Sequence, residues 1–82
     1  MTVPIRIFTR RGCPLCDAGI TLAQEVFGPD NLEVIDVDLD LTLLERYDDR
    51  VPVIEDSDGT IIDEGIIDKN LLRDFANRAL RK

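Results

Sequence analysis

Apolar residues in this chain fall into short blocks that alternate between two spacings, with glycine, proline and aspartate between them. Val3 to Thr9 is nearly continuous in apolar bulk through Ile5, Ile7 and Phe8, which predicts a central strand buried on both faces. Pro4 is tolerable so near its start. From Pro14 to about Phe27 the spacing becomes helical, and Leu15, Ala18, Leu22, Ala23, Val26 and Phe27 are expected to share the inward face. Gly19 inside this helix costs about 1 kcal/mol against alanine unless close packing needs it. Gly28-Pro29 stops the helix and Asp30-Asn31 turns the chain.

Leu32 to Val37 predicts a second strand, parallel to the first because a helix joins them. Asp40 is placed to cap a shorter helix through about Tyr47. Val53 to Glu55 and Thr60 to Asp63 flank Asp56-Ser57-Asp58-Gly59, whose Asp-Gly step signals a hairpin. Asp68 then caps a last helix to about Leu80, with Leu71/Leu72, Phe75/Ala76 and Ala79/Leu80 as its apolar stripe. The expected order is β-α-β-α-β-β-α, an α/β chain whose 82 residues make one domain with one small core.

Charge narrows the partners. A net charge of −7 argues against a nucleic-acid binder and against an anionic membrane surface. No stretch is long enough to span a bilayer, and the first residues are neither a signal nor a transit peptide, so the expected location is cytoplasmic. Asp36, Asp38 and Asp40 alternate, and in a strand they would line one face; a solvated strand end running into a helix cap is the preferred reading over a cation site.

The chemistry concentrates at Cys13-Pro14-Leu15-Cys16, which holds the only two cysteines. In a reducing compartment such a pair is more often catalytic or metal-binding than structural. Its position at a strand-to-helix junction makes Cys13 the expected N-cap and Pro14 the first helical residue. Unpaired N–H groups and the helix dipole there favour a thiolate at Cys13. Cys16, one turn on, is placed to resolve a mixed disulfide. Residues 1–16 carry Arg6, Arg10 and Arg11 and no acid, whereas the remainder carries all seventeen acids. This locally basic loop is expected to bring Arg10 or Arg11 close to the Cys13 sulfur.

The element order, the Gly12-Cys13-Pro14-Leu15-Cys16-Asp17 run, Glu45-Arg46-Tyr47 and Arg50-Val51-Pro52-Val53 together resemble the thioredoxin fold in its glutaredoxin form, and in particular the short bacterial glutaredoxin-like proteins. The resemblance implies a four-stranded mixed sheet flanked by three helices. It also implies a cis Pro52 facing the cysteines, with Val51 offering its backbone to an extended substrate. Arg10, Arg11, Pro14, Arg50, Val51, Pro52 and Glu64 would then form the substrate rim, around catalytic Cys13 and Cys16. The implied activity is thiol–disulfide exchange on disulfide-containing proteins or small molecules, by a monomer with no bound cofactor. Its potential would lie at about −200 to −270 mV. One departure concerns the reductant. Asp63-Glu64-Gly65 stands where glutathione-using members carry Gly-Gly, and two acids there repel the glutathione carboxylate. The electron donor is therefore left open between glutathione, another small thiol and a reductase. Two other readings of the chain are a dimeric zinc or iron–sulfur module sharing four sulfurs, and a non-catalytic adaptor.

Overall fold

The structure is a computed structural model, and it describes residues 5–80, with side chains through residue 78. Val3, Pro4 and the side chains of Ala79 and Leu80, all part of the sequence expectations, lie outside the described residues. Strand β1 (Ile5–Thr9) leads into helix α1 (Pro14–Phe27), then β2 (Leu32–Asp36), α2 (Leu41–Tyr47), β3 (Val53–Glu55), β4 (Ile61–Glu64) and α3 (Lys69–Leu80). The sheet order is β2-β1-β3-β4. β1 runs parallel to β2 and antiparallel to β3, and β3 and β4 form an antiparallel hairpin. This is the thioredoxin fold that the resemblance implied.

The two interior strands are apolar because each side of the sheet is covered. On one side Ile7 and Ile54 pack with Ala23 of α1 and Leu72 of α3. On the other, Phe8 and Val53 pack with Val37 and with Tyr47 of α2. Successive residues of β1 therefore serve opposite layers, as the twofold alternation of a strand requires.

Polar side chains fix the joints. Asp40 Oδ1 accepts from the N–H groups of Thr42 and Leu43, capping α2. Asp68 Oδ1 accepts from Asn70 and Leu71 at the start of α3. In the hairpin, Gly59 adopts φ +90°, a conformation that only glycine takes without strain, and its N–H donates to the Asp56 carbonyl. Lys69 Nζ reaches Glu25 at 2.8 Å, and Phe27 meets Phe75 edge to face, so α3 is clasped to α1 by charge and by rings.

Three expectations are corrected. β2 ends at Asp36, because the Asp36 side chain accepts from Asp38 N–H and turns Val37–Leu39 into a 3-10 segment. Asp36, Asp38 and Asp40 thus do not line one strand face; Asp36 and Asp40 cap the segments that follow them. β4 spans Ile61–Glu64, one residue later at both ends than the pattern placed it, with a bulge in the hairpin between Ile54 and Glu55. Leu15 and Ala18 are exposed, and the buried line of α1 runs instead through Cys16, Gly19 and Ala23.

That turn of the helix has a packing cause. A Cβ on Gly19 would stand 3.0 Å from Ile67 Cγ1 and 3.3 Å from Pro52 Cγ. Small residues occupy the closest approach, so the largest apolar side chains do not mark the inward face.

Candidate redox site

The site forms where β1 ends and α1 begins. Cys13 has extended backbone angles, φ −112° and ψ 101°, and is the N-cap of α1. Its sulfur accepts the Cys16 N–H at 3.1 Å, and Pro14 takes the first helical position, where it needs no hydrogen-bond donor. Cys13 and Cys16 are joined in a disulfide with Cα atoms 5.2 Å apart. The two sulfurs differ in access. Cys16 is fully buried, whereas Cys13 is half-buried at the mouth of the loop.

A second segment closes on this helix. The Val51–Pro52 peptide is cis, as the resemblance implied. Pro52 is buried, packs against the Gly19 position one turn after Cys16, and accepts the Gly65 N–H at 2.8 Å. Among the described residues, neither the N–H nor the C=O of Val51 enters a hydrogen bond. Asp63 holds the loop after β4, accepting the Glu64 N–H on one carboxylate oxygen and the Asp68 N–H on the other. Exposed Leu15 and Ile66 lie on the two chain segments next to the cysteines and Pro52.

The expected basic character of the loop is largely cancelled. Arg10 bonds Asp48 at 2.8 Å and Asp38 at 3.0 Å, and these carboxylates raise its already high pKa, with the Asp38 hydrogen bond as the leading cause. Arg11, almost fully exposed, has Asp36 at 3.6 Å. Arg50 forms a two-pronged bond with Glu64 at 2.8 and 3.0 Å. That bond holds the Glu64 carboxyl below its ordinary pKa. The Cys13 thiolate would therefore draw its stabilisation chiefly from the helix N-terminus, since each of these guanidinium groups already has a carboxylate beside it.

Beneath the site, Tyr47 is buried and donates its hydroxyl to Glu55, itself only 5% exposed. Burial, and then that hydrogen bond, push the phenol pKa up, against the opposing influence of Arg46. The Arg46 and Arg50 guanidinium groups lie 5.8 and 5.4 Å from its ring centre. Tyr47 packs against Phe8 with ring centres 4.9 Å apart, so it is a packing residue with an added polar anchor. Its link to Glu55 went unread in the sequence. An acid within an otherwise apolar strand, Val53-Ile54-Glu55, was the available signal.

Comparison with known proteins agrees with the geometry. Solved structures similar to this chain include the following two. One is the X-ray structure of the structural-genomics target protein XcR50 from X. campestris, with a TM-score of 0.75, 26% identity, and coverage of 90% of this chain and 96% of that one. The other is the solution NMR structure of protein Ne2328 from Nitrosomonas europaea, with a TM-score of 0.69, 25% identity, and coverage of 92% of each chain. No curated protein matches the chain. The model of the glutaredoxin-like domain (DUF836) matches residues 4–77, and with a Cys-x-x-Cys pair closed at the head of α1 beside a cis-proline the chain belongs to that glutaredoxin-like family.

Proposed function

We propose that this chain is a dithiol–disulfide oxidoreductase, a two-electron carrier that reduces disulfides in proteins or small molecules. The observation that carries the reading is the asymmetry of the pair. Cys13 is reachable and sits at a helix N-terminus, while Cys16 is sealed directly behind it. In the reduced protein the Cys13 thiolate attacks one sulfur of a substrate disulfide, forming a mixed disulfide and releasing the other substrate sulfur as a thiol. Cys16, as thiolate, then attacks the Cys13 sulfur and releases the second substrate thiol. The substrate gains two electrons and two protons, and the protein is left with the Cys13–Cys16 disulfide. A thiol donor returns it to the dithiol by the same steps reversed. The free backbone of Val51 supports pairing with an extended substrate strand.

The test is equilibration against a reduced/oxidised glutathione series, read by mass spectrometry, with Cys16→Ser alongside. The expected result is a single two-electron transition at about −200 to −270 mV, and in Cys16→Ser a mixed disulfide that persists on Cys13. A protein that forms no intramolecular disulfide across the series is not a carrier of this kind.

A further inference from the structure

The end of the sheet where the disulfide sits carries more negative than positive charge once its side chains are placed. β1 and β2 finish there together, with Thr9 beside Asp36, and β3 starts there beside the end of β4, with Val53 opposite Glu64. Among the described residues, three arginines reach this end, and each ends on carboxylate: Arg10 on Asp38 and Asp48, Arg11 on Asp36, Arg50 on Glu64. Two further acids, Asp17 in the first turn of α1 and Asp63 beside Glu64, bond no cation among the described residues. The two-pronged Arg50–Glu64 bond matters most, because Arg50 is the cation adjoining Val51 and Pro52. Its guanidinium is fixed between the Glu64 carboxylate and the Tyr47 ring.

We infer that this site selects disulfides borne on cationic polypeptide segments and turns away anionic thiols such as glutathione, with Glu64 setting the preference by holding Arg50. The inference rests on the carrier function proposed above and names its substrate class. An approaching cation meets Asp17, the excess carboxylate around Arg10, and Asp63, whose charge is shared with backbone N–H groups but with no cation among the described residues. An approaching carboxylate meets Arg10, Arg11 and Arg50 each with a carboxylate already beside it. Glu64 is a specificity-determining residue in this scheme, acting through Arg50 and not on the reacting sulfurs.

The experiment uses the full chain, reduced, with three small disulfides as probes: cationic cystamine, neutral hydroxyethyl disulfide and anionic oxidised glutathione. Each rate constant is divided by that of dithiothreitol with the same disulfide, which removes differences in intrinsic reactivity. At low ionic strength the normalised rates should fall in the order cationic, neutral, anionic, with roughly tenfold between the extremes, and should converge as salt screens the field. Glu64→Gln should narrow the cationic-to-anionic ratio about fivefold or more by freeing Arg50 and removing a negative charge. Equal or reversed normalised rates in the wild type, or a ratio unmoved by Glu64→Gln in a protein with native circular dichroism, overturn the inference. Failure to react with all three disulfides would instead overturn the carrier function itself.

Discussion

Pro52 Cγ lies 3.3 Å from where a Cβ on Gly19 would stand, so the helix that carries the cysteines and the segment that opens β3 meet at a position with no room for a side chain. Alanine at this point would favour the helix by about 1 kcal/mol. Against that, its methyl would press on Ile67 Cγ1 at 3.0 Å and on the rigid proline ring, and overpacking costs about 1–3 kcal/mol. Gly19→Ala should therefore lose about 1 kcal/mol net, read as a lower urea midpoint at unchanged slope. A raised midpoint would show that Ile67 moves aside freely.

Tyr47 is the only tyrosine and the chain has no tryptophan, so one phenol can be followed alone. With its folded pKa raised by burial and by Glu55, the protonated phenol is what the fold prefers. The sign follows from linkage. Its stabilisation is complete below the unfolded value, near 10, and is lost as pH rises through the folded value. Phenolate absorbance should therefore appear at higher pH in the native protein than in urea, and stability should fall on the alkaline side. Coincident curves in the two solvents would contradict the buried hydroxyl.

Tyr47→Phe keeps the ring against Phe8 but leaves the buried Glu55 carboxyl without its donor. The expected loss is about 1–3 kcal/mol, measured by denaturation followed by circular dichroism. A neutral result would mean that water replaces the hydroxyl.

Acid should weaken the clasp between α1 and α3. The Lys69 hydrogen bond holds the Glu25 carboxyl below its ordinary pKa. That contribution is present above the unfolded carboxyl value, about 4.3, and disappears as pH falls through the folded one. The thermal midpoint of Glu25→Gln should then fall less steeply with acid than that of the wild type, and added salt should shrink the difference because the pair is exposed.

Loss of a cap offers a local check on α2. Asp40→Ala removes the acceptor for Thr42 and Leu43 and should cost about 0.5–2 kcal/mol. Hydrogen exchange at those two amides should accelerate by more than the global loss of stability explains.

How much of this was readable from the chain depends on how far apart the partners lie in it. Cys13, Pro14 and Cys16 reveal themselves because their relationship is one helical turn, and the hairpin reveals itself through Asp58-Gly59. The ion pairs did not. Arg10 joins residues 28 and 38 positions away, so a loop that looks basic in sequence is compensated in space. The face of α1 was misplaced for a related reason. Periodicity counts bulky residues, but contact with Pro52 and Ile67 selects the smallest one. The 3-10 turn after Asp36 escaped because one side-chain bond, from Asp36 to the Asp38 amide, decides where the strand ends.

The unequal burial of the two sulfurs has a kinetic meaning. With Cys16 sealed and Cys13 half-buried, a reacting thiol or disulfide has a single sulfur within reach. If the pair carries electrons as proposed, donor and acceptor take turns at that one sulfur and exclude one another while they occupy it. In such a carrier, a change beside Cys13 that admits a new acceptor admits the matching donor too, so the two half-reactions share one selectivity.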